Sequence, residues 1–140
     1  MWIFLDDERK DPTVVHNQQR GLGIGVGKAN NWIIARNYNQ FVELVKNRFD
    51  EIDFISFDHD ISSFDFSGKE MTGKDAAMFL TDYCMDNQKN IPDWFVHSDN
   101  NKGNENIRQW ILNYMFRVEN SIDKMTDAYG FVNGSLIYNK

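Results

Sequence analysis

The sequence predicts an α/β protein built on a doubly wound, mainly parallel sheet of four to five strands, with a β-hairpin at its carboxyl end. Two observations carry that expectation. Short apolar runs alternate with stretches of helical periodicity along the chain. Three of the runs stop abruptly at ionisable residues, and open α/β sheets bind their ligands at the carboxyl ends of their strands. The 140 residues hold no linker, repeat or low-complexity tract, so the chain reads as one domain, 1–140.

Composition narrows the classes. Hydrophobic residues are 41% and aromatics 14%, with two prolines, which is enough for a core and argues against long disorder. The formal net charge of −6 excludes a broad phosphate-tracking surface for extended duplex DNA but leaves room for a small phosphorylated ligand. No apolar run reaches the length of a membrane span, and the amino terminus lacks a signal-peptide pattern. The lone Cys84 has no disulfide partner and no metal-ligand spacing around it. It reads as a helix packing residue in a cytoplasmic protein.

Trp2-Ile3-Phe4-Leu5 looks like a central strand buried on both faces, closed by Asp6-Asp7-Glu8-Arg9. Adjacent carboxylates at a strand tip suit Mg²⁺ through oxygen ligands, while a turn with Asp7 as a cap explains them equally. Residues 10–30 show no periodicity. Within them the Gly-rich insert at 21–28 alternates glycine with aliphatics but fails the phosphate-loop spacing, since Leu22 and Ala29 stand where that loop needs other residues. It reads as a flexible loop or edge ribbon.

Asn31 to Asn37 is the second strand, and a helix follows with Phe41, Leu44, Val45 and Phe49 at helical spacing and Asn37 or Asn39 as its cap. Arg36, at that junction, is placed either for a phosphate or for a surface ion pair. The central stretch is Ile55-Ser56-Phe57-Asp58-His59-Asp60, a short buried strand that delivers three ionisable side chains in a row. A loop with Phe64 and Phe66 follows. Thr72 and Asp75 then form a capping box before a helix with Ala76, Ala77, Phe79, Leu80, Tyr83 and Cys84 inside. Pro92 precedes the strand Trp94-Phe95-Val96, which ends in His97-Ser98-Asp99-Asn100. Asn100 to Gly103 reads as a turn, and Asn104-Glu105-Asn106 opens a helix carrying Ile107, Trp110, Ile111, Tyr114 and Met115. Asn133-Gly134 between apolar runs predicts the terminal hairpin.

If the three acidic or histidine-bearing strands are parallel neighbours, their tips converge on one pocket. A single histidine after a strand is usually structural, but two at neighbouring tips suit general acid and base roles near neutral pH. The candidate catalytic residues are therefore His59, His97, Asp58 and Asp60. Asp6, Asp7 and Asp58 form a credible oxygen cage for Mg²⁺ or Mn²⁺. Arg9, Arg36, Thr72, Ser98 and Asn100 are candidates for binding the substrate.

Five stretches in order carry a resemblance: Leu5-Asp6-Asp7-Glu8-Arg9, Ala35-Arg36-Asn37-Tyr38, Ile55-Ser56-Phe57-Asp58-His59-Asp60, Glu70-Met71-Thr72-Gly73-Lys74-Asp75, and His97-Ser98-Asp99-Asn100 with Gly103 and Ile107. Over most of residues 1 to 120 the chain resembles the cyclic-phosphate-processing receiver-like domain, a variant of the response-regulator receiver fold found in bacteria and their phages. The resemblance implies a flavodoxin-like sheet and the processing of cyclic phosphate ends, in RNA repair or nucleotide signalling. By position, Asp6, Asp7 and Asp58 fall on the receiver's acidic pocket, His59 and His97 on the additions that mark the variant, and Ser98 on the receiver's Ser or Thr. The receiver's lysine after a fifth strand is missing, because Lys124 falls in an irregular stretch and Lys140 is the last residue.

Two functions follow as expectations. One is a phosphoesterase acting on the cyclic phosphate of an RNA end or small nucleotide. The other is a non-catalytic module that binds a nucleotide or a protein partner, as a phage counter-defence or regulatory protein. Phosphorylation of Asp58 itself is a third and weaker reading.

Overall fold

A computed structural model describes residues 1–8, 12, 15, 32–98 and 100–129, with side chains of the last helix followed as far as Glu119. Its elements are β1 (Trp2–Leu5), β2 (Trp32–Ala35), α1 (Tyr38–Arg48), β3 (Phe54–Phe57), β4 (Ser63–Phe64), β5 (Glu70–Met71), α2 (Gly73–Asp86), β6 (Asp93–Val96) and α3 (Asn101–Tyr129). β1, β2, β3 and β6 form a parallel sheet in the order β2-β1-β3-β6. The expected α/β fold with a receiver-like sheet is therefore present, with four strands among the described residues. Arg9, the insert at 21–28 and the expected hairpin at 131–138 lie outside them.

The strand order creates the crevice. From β1 the chain moves outward to β2, and from β3 it moves the opposite way to β6. The order reverses between β1 and β3, and open sheets leave a binding crevice at such a switch point. Register aligns the tips, with Leu5 opposite Phe57 and Phe57 opposite Val96. The ladder then continues one residue further: Asp6 N–H donates to Ala35 O at 3.0 Å, Asp58 N–H to Leu5 O at 3.0 Å, and His97 N–H to Phe57 O at 2.9 Å. Asp6, Asp58 and His97 thus stand side by side.

One face of the sheet carries the main core. Ile3, Leu5, Ile55, Phe57 and Val96 pack there with Phe41, Val45, Ala76, Leu80, Ile107 and Ile111 from the three helices. Phe4, Trp32 and Phe54 gather on the other face with Val15. Period-2 alternation explains the split, since successive strand residues point to opposite sides. Cys84 lies in the main core, where burial pushes its thiol up to about 12, so it is the packing residue the sequence suggests.

The helix starts are set by named residues. Asn37 caps α1, its Oδ1 accepting the Gln40 N–H at 2.8 Å. The capping box of α2 forms as expected, with the Asp75 carboxylate accepting the Thr72 N–H at 2.8 Å. Gly73 is required there, because a Cβ would lie 1.8 Å from the Asp58 carbonyl oxygen. Three expectations need correcting. α3 begins at Asn101 rather than at Asn104, because Asn100 is its cap and accepts the Gly103 N–H at 2.8 Å. Gly103 is consequently helical instead of part of a turn. It leaves room for a neighbour, since a Cβ would come 2.4 Å from the His59 ring. α3 also continues to Tyr129, so the backbone at Lys124 is helical, not irregular. Part of the loop after β3 is ordered as the antiparallel pair β4–β5.

Candidate functional site

Strand parity brings the residues of the three tips to one face. Phe4 and Asp6, Ser56 and Asp58, and Phe95 and His97 are each two residues apart and share one face of three adjacent strands. The three tips therefore project Asp6, Asp58 and His97 to the same side of the switch point. All three are buried.

His97 is 2% exposed and stacks on Phe4, with ring centroids 4.3 Å apart and planes 9° from parallel. Its Nε2 lies 2.9 Å from Asp6 Oδ2, and its Nδ1 lies 2.7 Å from Ser56 Oγ. Asp6 Oδ1 accepts the Glu8 N–H at 2.8 Å, which fixes the other end of that carboxylate. The connectivity is Ser–His–Asp, but Ser56 is fully buried. Its hydroxyl therefore orients the ring and is no nucleophile. Ser56 went unnoticed in the sequence reading, although a lone polar residue in a buried apolar strand, two before Asp58, is the signal that marks it.

Asp58 shows the electrostatic character of the pocket. Burial is the largest cause pushing its carboxyl up to about 6, followed by the charge of Asp6. His97 and a hydrogen bond from Ser98 oppose the rise, and Asp7 adds to it. Two carboxylates and an imidazole offer ligand atoms within 4.8 Å of one another. A buried pair of mutually repelling carboxylates beside a nitrogen donor fits a divalent cation, whose charge would offset the repulsion. Among the described residues the group that fits is Asp6, Asp58 and His97. Asp7, half-buried, acts on Asp58 through charge and does not join the three.

The second histidine belongs to another network. His59 follows Asp58 directly and its ring rests on Gly103 at the start of α3. Its Nδ1 lies 2.9 Å from Asp60 Oδ1, and Asp60 Oδ2 accepts from Asn100 Nδ2 at 3.2 Å. Those bonds, from His59 first and Asn100 second, hold the Asp60 carboxyl below the ordinary carboxylate range. Ser98 joins the networks, since its Oγ accepts the Asn100 N–H at 3.0 Å and also bonds Asp58. The two imidazoles thus share a rim through Ser98, without sharing a partner.

The chain matches the cyclic-phosphate processing receiver domain over residues 1–113. It belongs to this family. Comparison with curated proteins and with solved structures gives no match. The matched span of this receiver domain includes all four parallel strands and ends within α3.

Other residues expected at the site have structural partners. Arg36 Nη1 donates to the Asp6 carbonyl at 3.1 Å and to the Glu8 carbonyl, clamping the β1 tip to the β2 tip. The Thr72 hydroxyl lies 3.2 Å from Asp75 Oδ2, within the capping box. Asn100 divides its side chain between the α3 cap and Asp60. Asn104, which the sequence offers only as a helix opener, donates from Nδ2 to the Ser98 carbonyl at 2.6 Å and holds the β6–α3 connection.

Proposed function

We propose that this receiver domain opens a cyclic phosphodiester at the strand-tip pocket, acting on a phosphorylated nucleotide or RNA end. The observation that supports this most is the convergence of Asp6, Asp58 and His97 at the switch point of the sheet, in a family named for cyclic-phosphate processing. Hydrolysis adds water across one ring P–O bond. The water oxygen bonds phosphorus and releases one proton to solvent, the ring P–O bond breaks, and the departing oxygen takes a proton. We assign that proton to His59 Nε2, because Asp60 already engages Nδ1 and fixes the ring. Asp6, Asp58 and His97 would hold a divalent cation, which when bound supplies positive charge to phosphoryl oxygens. Their mixed oxygen and nitrogen donors suit Mn²⁺ better than Mg²⁺. Ser98 lies between the two networks and is the hydroxyl we assign to a phosphate oxygen.

One observation favours a second reading. His97 has both ring nitrogens engaged and is closed off from solvent, as in a module that binds without turnover. No described helix is long and apolar enough to cross a membrane. The acidic composition suits a small phosphorylated ligand better than extended duplex DNA. The test is hydrolysis of 2′,3′-cyclic nucleotides with Mn²⁺ or Mg²⁺, in wild type and His59→Gln. Turnover lost in His59→Gln while the ligand still raises the melting temperature supports the assignment. Thermal stabilisation of wild type without any turnover supports the binding module.

A further inference from the structure

Two phenylalanines stand in solvent on the segment that follows the pocket. Phe66 keeps 107% of its reference surface and Phe64 keeps 58%. Both belong to the β4–β5 excursion, which leaves the rim after Asp60 and returns at Gly73, whose N–H donates to the His59 carbonyl at 2.7 Å. The excursion is not loosely held. Asp65 Oδ1 accepts from the Ser67 N–H at 2.9 Å, the Ser67 hydroxyl at 2.7 Å and the Lys69 N–H at 3.0 Å. The Asp65 N–H donates to the Lys69 carbonyl at 2.9 Å, and Gly68 closes the turn at φ 85, a conformation suited to glycine. At the base, Ser63 Oγ accepts the Tyr38 N–H at 3.1 Å and ties β4 to the start of α1. The exposure of Phe66 is therefore a built feature of an ordered turn.

The neighbours of Phe66 narrow what it meets. Asp65, Ser67, Gly68 and Lys69, which flank it in the chain, are polar or lack a side chain, so the large exposed apolar side chains of the excursion are the two rings of Phe64 and Phe66. A protein-docking site concentrates apolar area over many residues, whereas two aromatic faces flanked by polar residues suit a planar ring that is itself edged with polar atoms. Both anchors of the excursion sit at the rim. Phe66 is six residues from Asp60, so the chain holds it within about 20 Å of that rim residue.

We propose that Phe66, assisted by Phe64, stacks on the nucleobase of a substrate whose phosphate enters the strand-tip pocket. This rests on the function proposed above and deepens it: the substrate class is a nucleoside or RNA-end cyclic phosphate, not a base-free sugar phosphate. Base stacking on an aromatic side chain tolerates any base, so the site recognises that a base is present more than which one.

The test compares dissociation constants for adenosine 2′,3′-cyclic phosphate and for 1-O-methyl ribose 2′,3′-cyclic phosphate by calorimetry. Wild type, Phe66→Ala, Phe66→Leu and Phe66→Trp are measured with Mn²⁺ present. The preference of wild type for the nucleotide falls roughly ten-fold in Phe66→Ala and Phe66→Leu, and returns in Phe66→Trp. A wild type that binds both ligands equally tightly, with Phe66→Ala leaving the ratio unchanged, overturns the stacking role and leaves the phosphate site standing. A wild type that binds neither ligand overturns both. Gel filtration on the same samples adds one further outcome: a dimer that dissociates in Phe66→Ala, with no change in the ratio, makes the hairpin an interface between copies and overturns the proposal.

Discussion

Replacing Asp58 by Asn should make the domain more stable, and increasingly so as pH rises. The carboxyl titrates near 3.8 in an unfolded chain and about 6 in the folded one, chiefly because of burial and then the charge of Asp6. The native state therefore holds this proton more tightly than the unfolded state does. The resulting stability is complete below about pH 4 and is lost as pH rises through about 6. That displacement corresponds to about 3 kcal/mol. Screening at the pocket mouth reduces what a variant should show to about 2 kcal/mol. Asn keeps the shape and an acceptor for Ser98 while removing the charge. The assay is urea denaturation of wild type and Asp58→Asn in EDTA, at pH 4.5 and at pH 7.5. At pH 4.5 the variant should lead by only about a third of the full effect, under about 1 kcal/mol. At pH 7.5 the variant should lead by about 2 kcal/mol, or roughly 6 °C in melting temperature. Mn²⁺ at a hundred times its dissociation constant should then raise wild type by about 2.7 kcal/mol and the variant by less. A variant less stable than wild type at pH 7.5, or a difference that does not change with pH, would refute the electrostatic account of the pocket.

Three further outcomes are expected. His97→Ala removes one partner from each of two buried groups, the Asp6 carboxylate and the Ser56 hydroxyl, and should cost about 3 kcal/mol by urea denaturation; a loss under about 1 kcal/mol would mean that water replaces the ring freely. Gly103→Ala forces a methyl group against the His59 ring and should cost about 1–3 kcal/mol, and a ring-proton NMR spectrum should show the His59 signals shifted; unchanged His59 signals would count against the packing. Asn37→Ala removes the α1 cap and should lower stability by about 1 kcal/mol with the metal-binding isotherm unchanged, whereas a weakened isotherm would show that the β2 tip contributes to the pocket.

Much of the fold was legible in the chain. The four apolar runs became the four strands, and the Thr72–Asp75 box opened its helix where the sequence put it. The start of α3 was misread because Gly103 looks like a turn residue, while its actual role is to make room for His59, which is distant in sequence. Arg36, Thr72 and Asn100 carry the right chemistry for a phosphate and sit near the tips, yet the carbonyls of the β1 tip engage Arg36, the Asp75 carboxylate engages Thr72 and the α3 cap engages Asn100. Side-chain type gave no way to tell those uses apart.

The sequence by itself determined that three strands end in Asp6-Asp7, Asp58-His59-Asp60 and His97-Ser98. Only the tertiary structure decided that Asp6, Asp58 and His97 form one group, while His59 turns to α3. The reason is register: strand order and the alignment of Leu5, Phe57 and Val96 set which side chains are neighbours across the sheet, and those pairings are fixed by packing between segments far apart in the chain.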